Sequence, residues 1–190
     1  MAASAILTIP QLDSTRKVNL IINGIRKELA GPSNYNYPIG SYFSYSDGII
    51  SQYLLDLTNL GQWSLPILQN NSQHASGNLK ECLIIAMGLN KDESVHPMLP
   101  ALIDTSSLLV LRTKAVSALG RYKNKNDSIY FKRALEDTCK VIVHNDNDFP
   151  GKGFHETYYP VRGEAIAALK GLGYEVAPDT LNGCYSVKEK

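Results

Sequence analysis

The sequence predicts an all-α protein built from about four stacked pairs of helices. Two segments, LRTKAVSALG at 111–120 and VRGEAIAALKGLG at 161–173, share one pattern: a basic residue, two variable positions, alanine, an aliphatic residue, a variable position, alanine and leucine. Apolar residues at this spacing lie on one face of a helix, and no segment alternates like a strand with comparable strength. Helices repeated at an interval of roughly 30 residues are typical of stacked arrays, because one helix pair cannot bury its apolar face alone.

The interval between units is measured from the glycine near the end of each helix. KECLIIAMG ends at Gly88 and RTKAVSALG ends at Gly120, while QYLLDLTNLG, one unit earlier, ends at Gly61. Lys170 takes the glycine position in the last unit, after a much longer interval, and Gly171 follows it. Glycine is favoured in the left-handed conformation that ends many helices, so we predict this conformation at Gly88, Gly120 and Gly171.

Residues 1–48 are expected to belong to the same domain as the repeats. STRKVNLIINGIRKELAG (14–31) predicts a leading amphipathic helix with Asp13 or Ser14 as its N-cap. Its predicted apolar positions are Val18, Leu20, Ile21, Ile22, Ile25 and Leu29. GPSNYNYPIGSYFSYSD (31–47) combines turn-forming residues with five aromatic residues and predicts a loop. Its aromatic side chains would either cover the open end of the first helix pair or contact a partner.

The repeat array is expected to span residues 49–178, with 179–190 as a C-terminal tail. Short apolar segments predict the first helix of successive units: LPILQN (65–70), MLPALID (98–104) and IYFKRALED (129–137). DTSS (104–107) offers an N-cap to one second helix, and Pro160 suits the first turn of the last one. Equivalent positions of the pattern predict a core that contains Leu83, Ile84, Met87, Ala115, Val116, Leu119, Ala165, Ile166 and Leu169.

One insertion breaks the period. VHNDNDFPGKGFHETYYP (143–160) accounts for the longer interval between the last two units, and we predict an exposed loop over 144–159. A long insertion in a compact array is usually functional or mobile. Two interpretations stay open. The loop contacts a partner through His155, Glu156, Tyr158 and Tyr159, or the two tyrosines pack the loop back onto the last unit.

The repeated segments VRGEAIAALKGLG and LRTKAVSALGRY resemble HEAT repeats, especially the short type found in phycobilisome lyases. The resemblance covers roughly residues 49–173. It implies a right-handed α-solenoid of about four HEAT-like helix pairs, whose second helices line a concave binding face. HEAT-like proteins include deoxyhypusine hydroxylases, but those bind iron through several His-Glu pairs, and here only His155 precedes a glutamate.

Composition and charge narrow the class of protein. The 190 residues are 44% hydrophobic and 19% charged, with a net charge of +1, which is typical of a globular chain without a global attraction to nucleic acid or membrane. No apolar run is long enough for a membrane span. The absence of a basic flank before the N-terminal apolar stretch favours a cytoplasmic protein; the alternative is an exported protein without its signal. The cysteines Cys82, Cys139 and Cys184 show no paired spacing and are interpreted as buried small apolar residues.

These observations favour a non-catalytic scaffold that binds another protein on its concave or insertion-bearing surface. Seven basic residues crowd between Arg112 and Arg133, which leaves a HEAT-like nucleic-acid-binding protein as one alternative and an accessory enzyme subunit of the lyase type as another. We find no nucleophile–base motif, phosphate loop or metal-ligand spacing, so no catalytic residue, metal or cofactor is predicted. The candidate partner-binding residues are Arg112, Lys114, Arg121, His155, Glu156, Tyr158, Tyr159 and Arg162. Arg112 and Arg162, which occupy equivalent positions, are expected to be solvent-accessible on one face.

Overall fold

The computed structural model describes residues 13–31, 45–145, 154–179 and 184–189, and most of these residues are helical. The helices within these ranges are α1 Ser14–Ala30, α2 Tyr45–Asn59, α3 Leu65–His74, α4 Gly77–Leu89, α5 Leu99–Thr105, α6 Leu109–Gly120, α7 Ser128–Ala134 and α8 Pro160–Gly171. The strands are β1 Val141–Asn145, β2 Phe154–Tyr158, β3 Tyr174–Asp179 and β4 Cys184–Glu189. Short 3-10 turns precede α3, α5 and α7.

The helices form two rows. The even-numbered helices α2, α4, α6 and α8 contact one another in order, and each odd-numbered helix packs on the even-numbered helix that follows it. Helix α2 also contacts α6, so α4 is enclosed by its neighbours. As a result, residues 82–90 of α4 and its C-cap are all buried, and the core is centred on this helix.

The predicted core is confirmed at eight of its nine positions. Leu83, Ile84, Met87, Ala115, Val116, Leu119, Ala165 and Leu169 are buried. Ile166 is only half-buried and packs against the edge of the same cluster. The apolar periodicity of the sequence therefore located the inward faces of α4, α6 and α8 correctly.

Helix α1 begins and ends close to the predicted residues. The Asp13 carboxylate is the N-cap and accepts a hydrogen bond from the backbone N–H of Arg16 at 2.7 Å. Val18, Ile21, Ile22 and Ile25 are buried as predicted. Leu20 was expected on the apolar face, but its side chain is 39% exposed and Leu29 is half-buried. The stripe that α1 buries is thus narrower than the run of apolar residues in its sequence.

The repeat glycines do not adopt the left-handed conformation that the sequence predicted. Gly88, Gly120 and Gly171 lie inside helices, and positive φ angles occur instead at Lys91 (58°), Lys123 (55°) and Gly173 (90°). Lys91 and Lys123 lie three positions after Gly88 and Gly120, and Gly173 lies three positions after Lys170, the aligned residue of the last unit. The spacing between units is therefore preserved. In these three units the chain therefore reverses shortly after the aligned position, whereas in the first unit Gly61 itself has a positive φ of 75°.

Close helix packing explains why glycine stands at two of the aligned positions. A Cβ atom on Gly88 would lie 2.9 Å from Leu99 Cδ1 and 3.2 Å from Ala118 Cβ. A Cβ atom on Gly120 would lie 3.1 Å from Ala168 Cβ. The glycine of one unit therefore receives the alanine of the next, which lets neighbouring even-numbered helices approach closely.

Two β-hairpins are the main departure from the sequence-based expectation. β1 pairs antiparallel with β2, from Val141 opposite Tyr158 to Asn145 opposite Phe154, so the ends of the predicted 144–159 loop are strands. Residues 146–153 lie outside the described residues. β3 pairs with β4, and the segment expected as a tail thus contributes a strand. Such short strands were missed because a hairpin depends on cross-strand pairing, which local periodicity does not report.

Two smaller expectations are also corrected. The predicted 31–47 loop ends early, because α2 begins at Tyr45, and residues 32–44 lie outside the described ranges. The N-cap of α6 is Leu108, without a side-chain cap, rather than a residue of DTSS. Ser106 is instead buried, and its hydroxyl donates to Glu81 Oε2 at 2.6 Å, which links α4 to the turn before α6.

Asp56 on α2 is a buried acid with an incomplete set of hydrogen bonds. Its Oδ1 accepts from Gln52 Nε2 at 3.0 Å, whereas Oδ2 accepts no hydrogen bond from the described part of the chain. Burial raises the pKa of Asp56, and the Gln52 hydrogen bond only partly offsets this. The ionised form therefore costs stability.

We expect Asp56→Asn to be more stable than the wild type at neutral pH. Because the folded-state pKa is raised, this group favours folding below its unfolded-state pKa, and that contribution is lost as the pH rises through the folded-state value. The advantage of the variant should accordingly shrink towards about pH 4, near the unfolded-state pKa of aspartate. Urea melts at both pH values measure this, with the exposed Glu136→Gln as a control that should change little at either. An advantage that is equal at both pH values would contradict the ionisation argument.

Candidate binding surface at the insertion

Arg112 and Arg162 meet at Asp137, which follows α7. Arg112 Nε donates to Asp137 Oδ2 at 3.2 Å, and Arg162 Nε donates to the Asp137 carbonyl oxygen at 2.5 Å. Arg112 also donates to the Ser106 carbonyl oxygen at 2.9 Å and contacts Cys139 Sγ at 2.8 Å. The two arginines lie on the same side of the molecule, as their equivalent positions suggested. The expected accessibility is wrong for Arg112, whose side chain is only 13% exposed.

A cleft of about 440 Å³ opens beside this pair, and we call it the arginine cleft. Its lining residues are Ile103, Asp104, Arg112, Arg133, Ala134, Glu136, Asp137, Cys139 and Val161. Two arginines face three carboxylates, and Arg133 is paired with Asp104. The charges in the cleft are therefore largely compensated, which favours a polar surface of mixed charge over a site for a free anion.

Tyr158 and Tyr159 join the hairpin to α8. The Arg162 guanidinium carbon lies 4.3 Å from the centre of the Tyr159 ring, a cation–π distance. The Tyr158 ring lies over Gly163, where a Cβ atom would approach its hydroxyl oxygen to 2.7 Å. Burial, and then the charge of Glu164, raise the pKa of Tyr158, although 47% of the residue remains exposed. Both tyrosines thus anchor the base of the hairpin while Tyr158 keeps an accessible face.

Above this base, the strands β1 and β2 pack mainly on each other. No described helix lies along them, because their contacts with the helices are marginal compared with those across the hairpin. His155 and Glu156 belong to β2, where they stand opposite His144 and Val143 of β1. A two-stranded hairpin without a covering layer is marginal by itself, so this one is stabilised mainly by its cross-strand pairing and by the contacts at its base.

Lys114 and Arg121 lie on a different surface from Arg112. Residues two positions apart on a helix point to nearly opposite sides, which separates Lys114 from Arg112. Arg121 Nη1 donates to the Leu89 carbonyl oxygen at 2.7 Å, and between the two residues Ser117 donates to Glu164 Oε2 at 2.6 Å. Lys114 is half-buried and forms no ion pair with a described residue. The eight candidate residues therefore do not form one site.

Sequence reasoning missed Asp137 and misjudged Cys139. The only available signal for Asp137 was the equivalence of Arg112 and Arg162, which implied a shared acceptor but did not identify it. Cys139 was expected to be buried and is exposed, whereas Cys82 is fully buried and burial raises its pKa to about 12. The side chain of Cys184 is not among those described.

A second polar cluster crosses the helix pairs at the opposite end of α6. His96 Nε2 lies 2.9 Å from Asp127 Oδ2, and the Tyr122 hydroxyl donates to the Asp92 carbonyl oxygen at 2.6 Å. Burial alone would raise the pKa of Asp92, but hydrogen bonds from Gln69 and Ser94 hold it below its usual value. His96 and Asp127 lie 31 positions apart in the chain, so their contact joins successive helix pairs.

The described residues show neither a metal-binding cluster nor a membrane-spanning helix, and the chain has no match among known proteins. Across the described ranges, no three His, Cys, Asp or Glu side chains are grouped so that they could hold a metal ion. Nor do those ranges contain a helix with the length and apolar character that crossing a bilayer requires. Neither a family model, nor a curated protein, nor a solved structure matches this chain.

Arg112→Ala should destabilise the fold by about 2 kcal/mol, because it removes charge-assisted hydrogen bonds in a poorly exposed place and leaves the Asp137 carboxylate without its ion-pair partner. The matched control is Lys114→Ala on the same helix, which should change the free energy of unfolding by less than about 0.5 kcal/mol. Denaturant melts provide both values. Equal effects of the two substitutions would mean that Arg112 is an ordinary surface residue.

Proposed function

We propose that this chain is a HEAT-like α-solenoid that binds another protein through its insertion-bearing end. The helical rows support the architecture, since each odd-numbered helix pairs with the even-numbered helix after it and the even-numbered helices follow one another. Further support comes from hydrogen bonds between units: Asn90 Nδ2 donates to the Leu57 carbonyl oxygen at 3.4 Å, and Arg121 donates to that of Leu89. These contacts join residues 33 and 32 positions apart, and the second separation equals the interval between Gly88 and Gly120.

The enclosed position of α4 favours the insertion over the concave face as the binding surface. In a HEAT-like array the second helices would line the concave face, and here these are α2, α4, α6 and α8. Because α2 contacts α6, the middle of that face is filled, and residues 82–90 offer nothing to a partner. By contrast, Arg162 on α8 is half-buried and contacts Tyr159 at the base of the insertion.

The single observation that carries the proposal is the β1–β2 hairpin, whose strands contact each other far more than they contact the described helices. The hairpin stands where the period lengthens, and its base packs through Tyr158 over Gly163 and through Tyr159 on Arg162. A tyrosine that is held by packing and keeps an accessible face loses less entropy when a partner binds. The adjoining arginine cleft adds compensated charges of both signs, which suit a protein surface better than a polyanion.

The basic run 112–133 gives little support to a nucleic-acid partner. Arg112 pairs with Asp137, Arg133 with Asp104, and Lys125 Nζ with Glu189 Oε1 at 3.1 Å. Arginines and lysines that already face carboxylates release fewer counterions from a phosphate backbone. We therefore propose a protein partner in preference to a nucleic acid.

Affinity capture from the native source with matched baits tests the proposal. Replacing residues 146–153 by a short Gly-Ser linker should leave unfolding cooperative and reduce recovery of the partner at least about tenfold, a change worth roughly 1.4 kcal/mol. Asn19→Ser, on the exposed face of α1 far from the hairpin in sequence, is the control and should capture as well as the wild type.

A second variant separates binding from folding. If capture survives the linker replacement while the Tyr158→Ala, Tyr159→Ala double variant melts at a much lower denaturant concentration, the hairpin is a structural brace. The binding surface would then have to be sought elsewhere.

A further inference from the structure

In the part of the chain that the structure describes, the outer edge of β3 has no strand paired with it. There β3 and β4 form a sheet of two strands, so β3 has β4 on one side and no strand on the other. A groove of about 450 Å³ beside β3 is lined by Lys170 and by residues 173–177. An open strand edge can accept a further strand through main-chain hydrogen bonds.

The backbone groups on the open edge of β3 can be identified. Ser186 stands opposite Ala177, and its hydroxyl donates to the Ala177 carbonyl oxygen at 3.4 Å, which places that carbonyl on the β4 side. The backbone N–H and C=O groups of successive residues in a strand point to alternate sides. Those of Tyr174 and Val176 therefore point to the open edge, together with the Pro178 carbonyl. Proline suits an outward position, because it has no N–H to offer β4. No backbone hydrogen bond from another described element reaches these groups.

We propose that this edge pairs antiparallel with the same edge of a second copy of the chain. In such a dimer, β4 and β3 of one copy would continue into β3 and β4 of the other, giving a four-stranded sheet. Tyr174, Val176, Tyr185 and Val187, which already pack partly against the helical core, would then share one apolar layer across both copies. Joining two hairpins in this way relieves the marginal stability of each sheet.

Among the three registers centred on the middle of β3, the charges favour the one centred on Val176. With the twofold axis at Val176, Tyr174 faces Pro178 of the second copy and Glu175 faces Ala177, so no like charges are opposed. With the axis at Glu175, two glutamates face each other, and with the axis at Ala177, Glu175 faces Asp179; both arrangements are destabilising. The Val176 register forms four backbone hydrogen bonds: Val176 to Val176 in both directions, and Tyr174 N–H to the Pro178 carbonyl in both directions.

The expected dimer is weak, because a strand pair of this length buries less surface than a stable dimer needs. Sedimentation of the purified chain from about 5 to about 500 µM should show a reversible shift from monomer to dimer. Val176→Pro removes the N–H on the axis and should abolish the shift. Val187→Pro is the matched control, since Val187 stands opposite Val176 and faces the outer edge of β4; it should retain the dimer.

Hydrogen exchange of the wild type gives a test that does not depend on how well the proline variants fold. The Tyr174 and Val176 amides should become protected at least about tenfold as the concentration rises, whereas the Tyr185 and Val187 amides should not change. A chain that stays monomeric over the whole range overturns the proposal. So does a dimer that persists in Val176→Pro, or one that protects the β4 amides, because each would place the contact elsewhere.

Discussion

Leu119→Ala is expected to lower the free energy of unfolding by about 2–5 kcal/mol, because it opens a cavity at a fully buried position. Leu119 lies on α6, which packs against α4, α5 and α8, so several helices would have to move to fill the space. Fixed packing of this kind limits relaxation and places the cost in the upper part of the range. Urea melts followed by circular dichroism provide the value.

Leu20→Ala is the control for this prediction. The same atoms are removed, but Leu20 on α1 is 39% exposed, and the expected loss is about 0.5 kcal/mol. Periodicity alone assigned both leucines to apolar faces, so the pair isolates the contribution of tertiary burial. A loss below about 1 kcal/mol at Leu119 would mean that α6 is rotated from the orientation described here.

Gly24→Ala is expected to destabilise the protein by about 1–3 kcal/mol, although the same change in an open helix would stabilise it by about 1 kcal/mol. Gly24 lies within α1, and a Cβ atom there would come within 2.5 Å of Tyr53 Cζ and 2.6 Å of its hydroxyl oxygen. The Tyr53 ring is buried between α1 and the rest of the core, so it has little room to move aside. Overpacking therefore outweighs the gain in helix propensity.

Gly48→Ala is the matched control, because Gly48 lies in α2, is exposed and has no atom within 4 Å of an added Cβ. It should stabilise the protein by about 0.5–1 kcal/mol. A double variant that combines Gly24→Ala with Tyr53→Leu tests the cause, since a smaller side chain at position 53 should remove most of the extra cost of the alanine. If Gly24→Ala stabilises the wild type, the packing of α1 on α2 described here is wrong.

Much of the helical part could be predicted because its signals are local. The leading helix with its Asp13 cap, the short first helices and most core positions follow from apolar spacing, N-cap chemistry and the repeated interval. These features depend on residues a few positions apart, where helical periodicity is informative. The repeat also brought Arg112 and Arg162 to one side of the molecule, as their equivalence required.

The candidate site was less predictable because its contacts are distant in the chain. Asp137 accepts hydrogen bonds from two arginines that each lie 25 residues away, and no local pattern signals such a meeting. Lys114 and Arg121 were grouped with Arg112 by sequence proximity, but the turn of the helix directs them to another surface. Apolar periodicity also failed to predict the hairpins, since each strand is defined by its partner across the sheet.

The repeated glycines show most clearly which features follow from the sequence and which depend on the tertiary structure. The repeated pattern located Gly88 and Gly120 as equivalent residues, and the interval between them is the interval of the helix pairs. Only the packing of neighbouring helices showed the role of these glycines. Because they lack a side chain, Ala118 and Ala168 can approach them closely, whereas Lys91 and Lys123 adopt the left-handed conformation in the turns that follow. The recurrence of a residue can be read from the sequence, because it depends only on the order of residues along the chain. The space around that residue depends on helices from distant parts of the chain, so only the tertiary structure determines it.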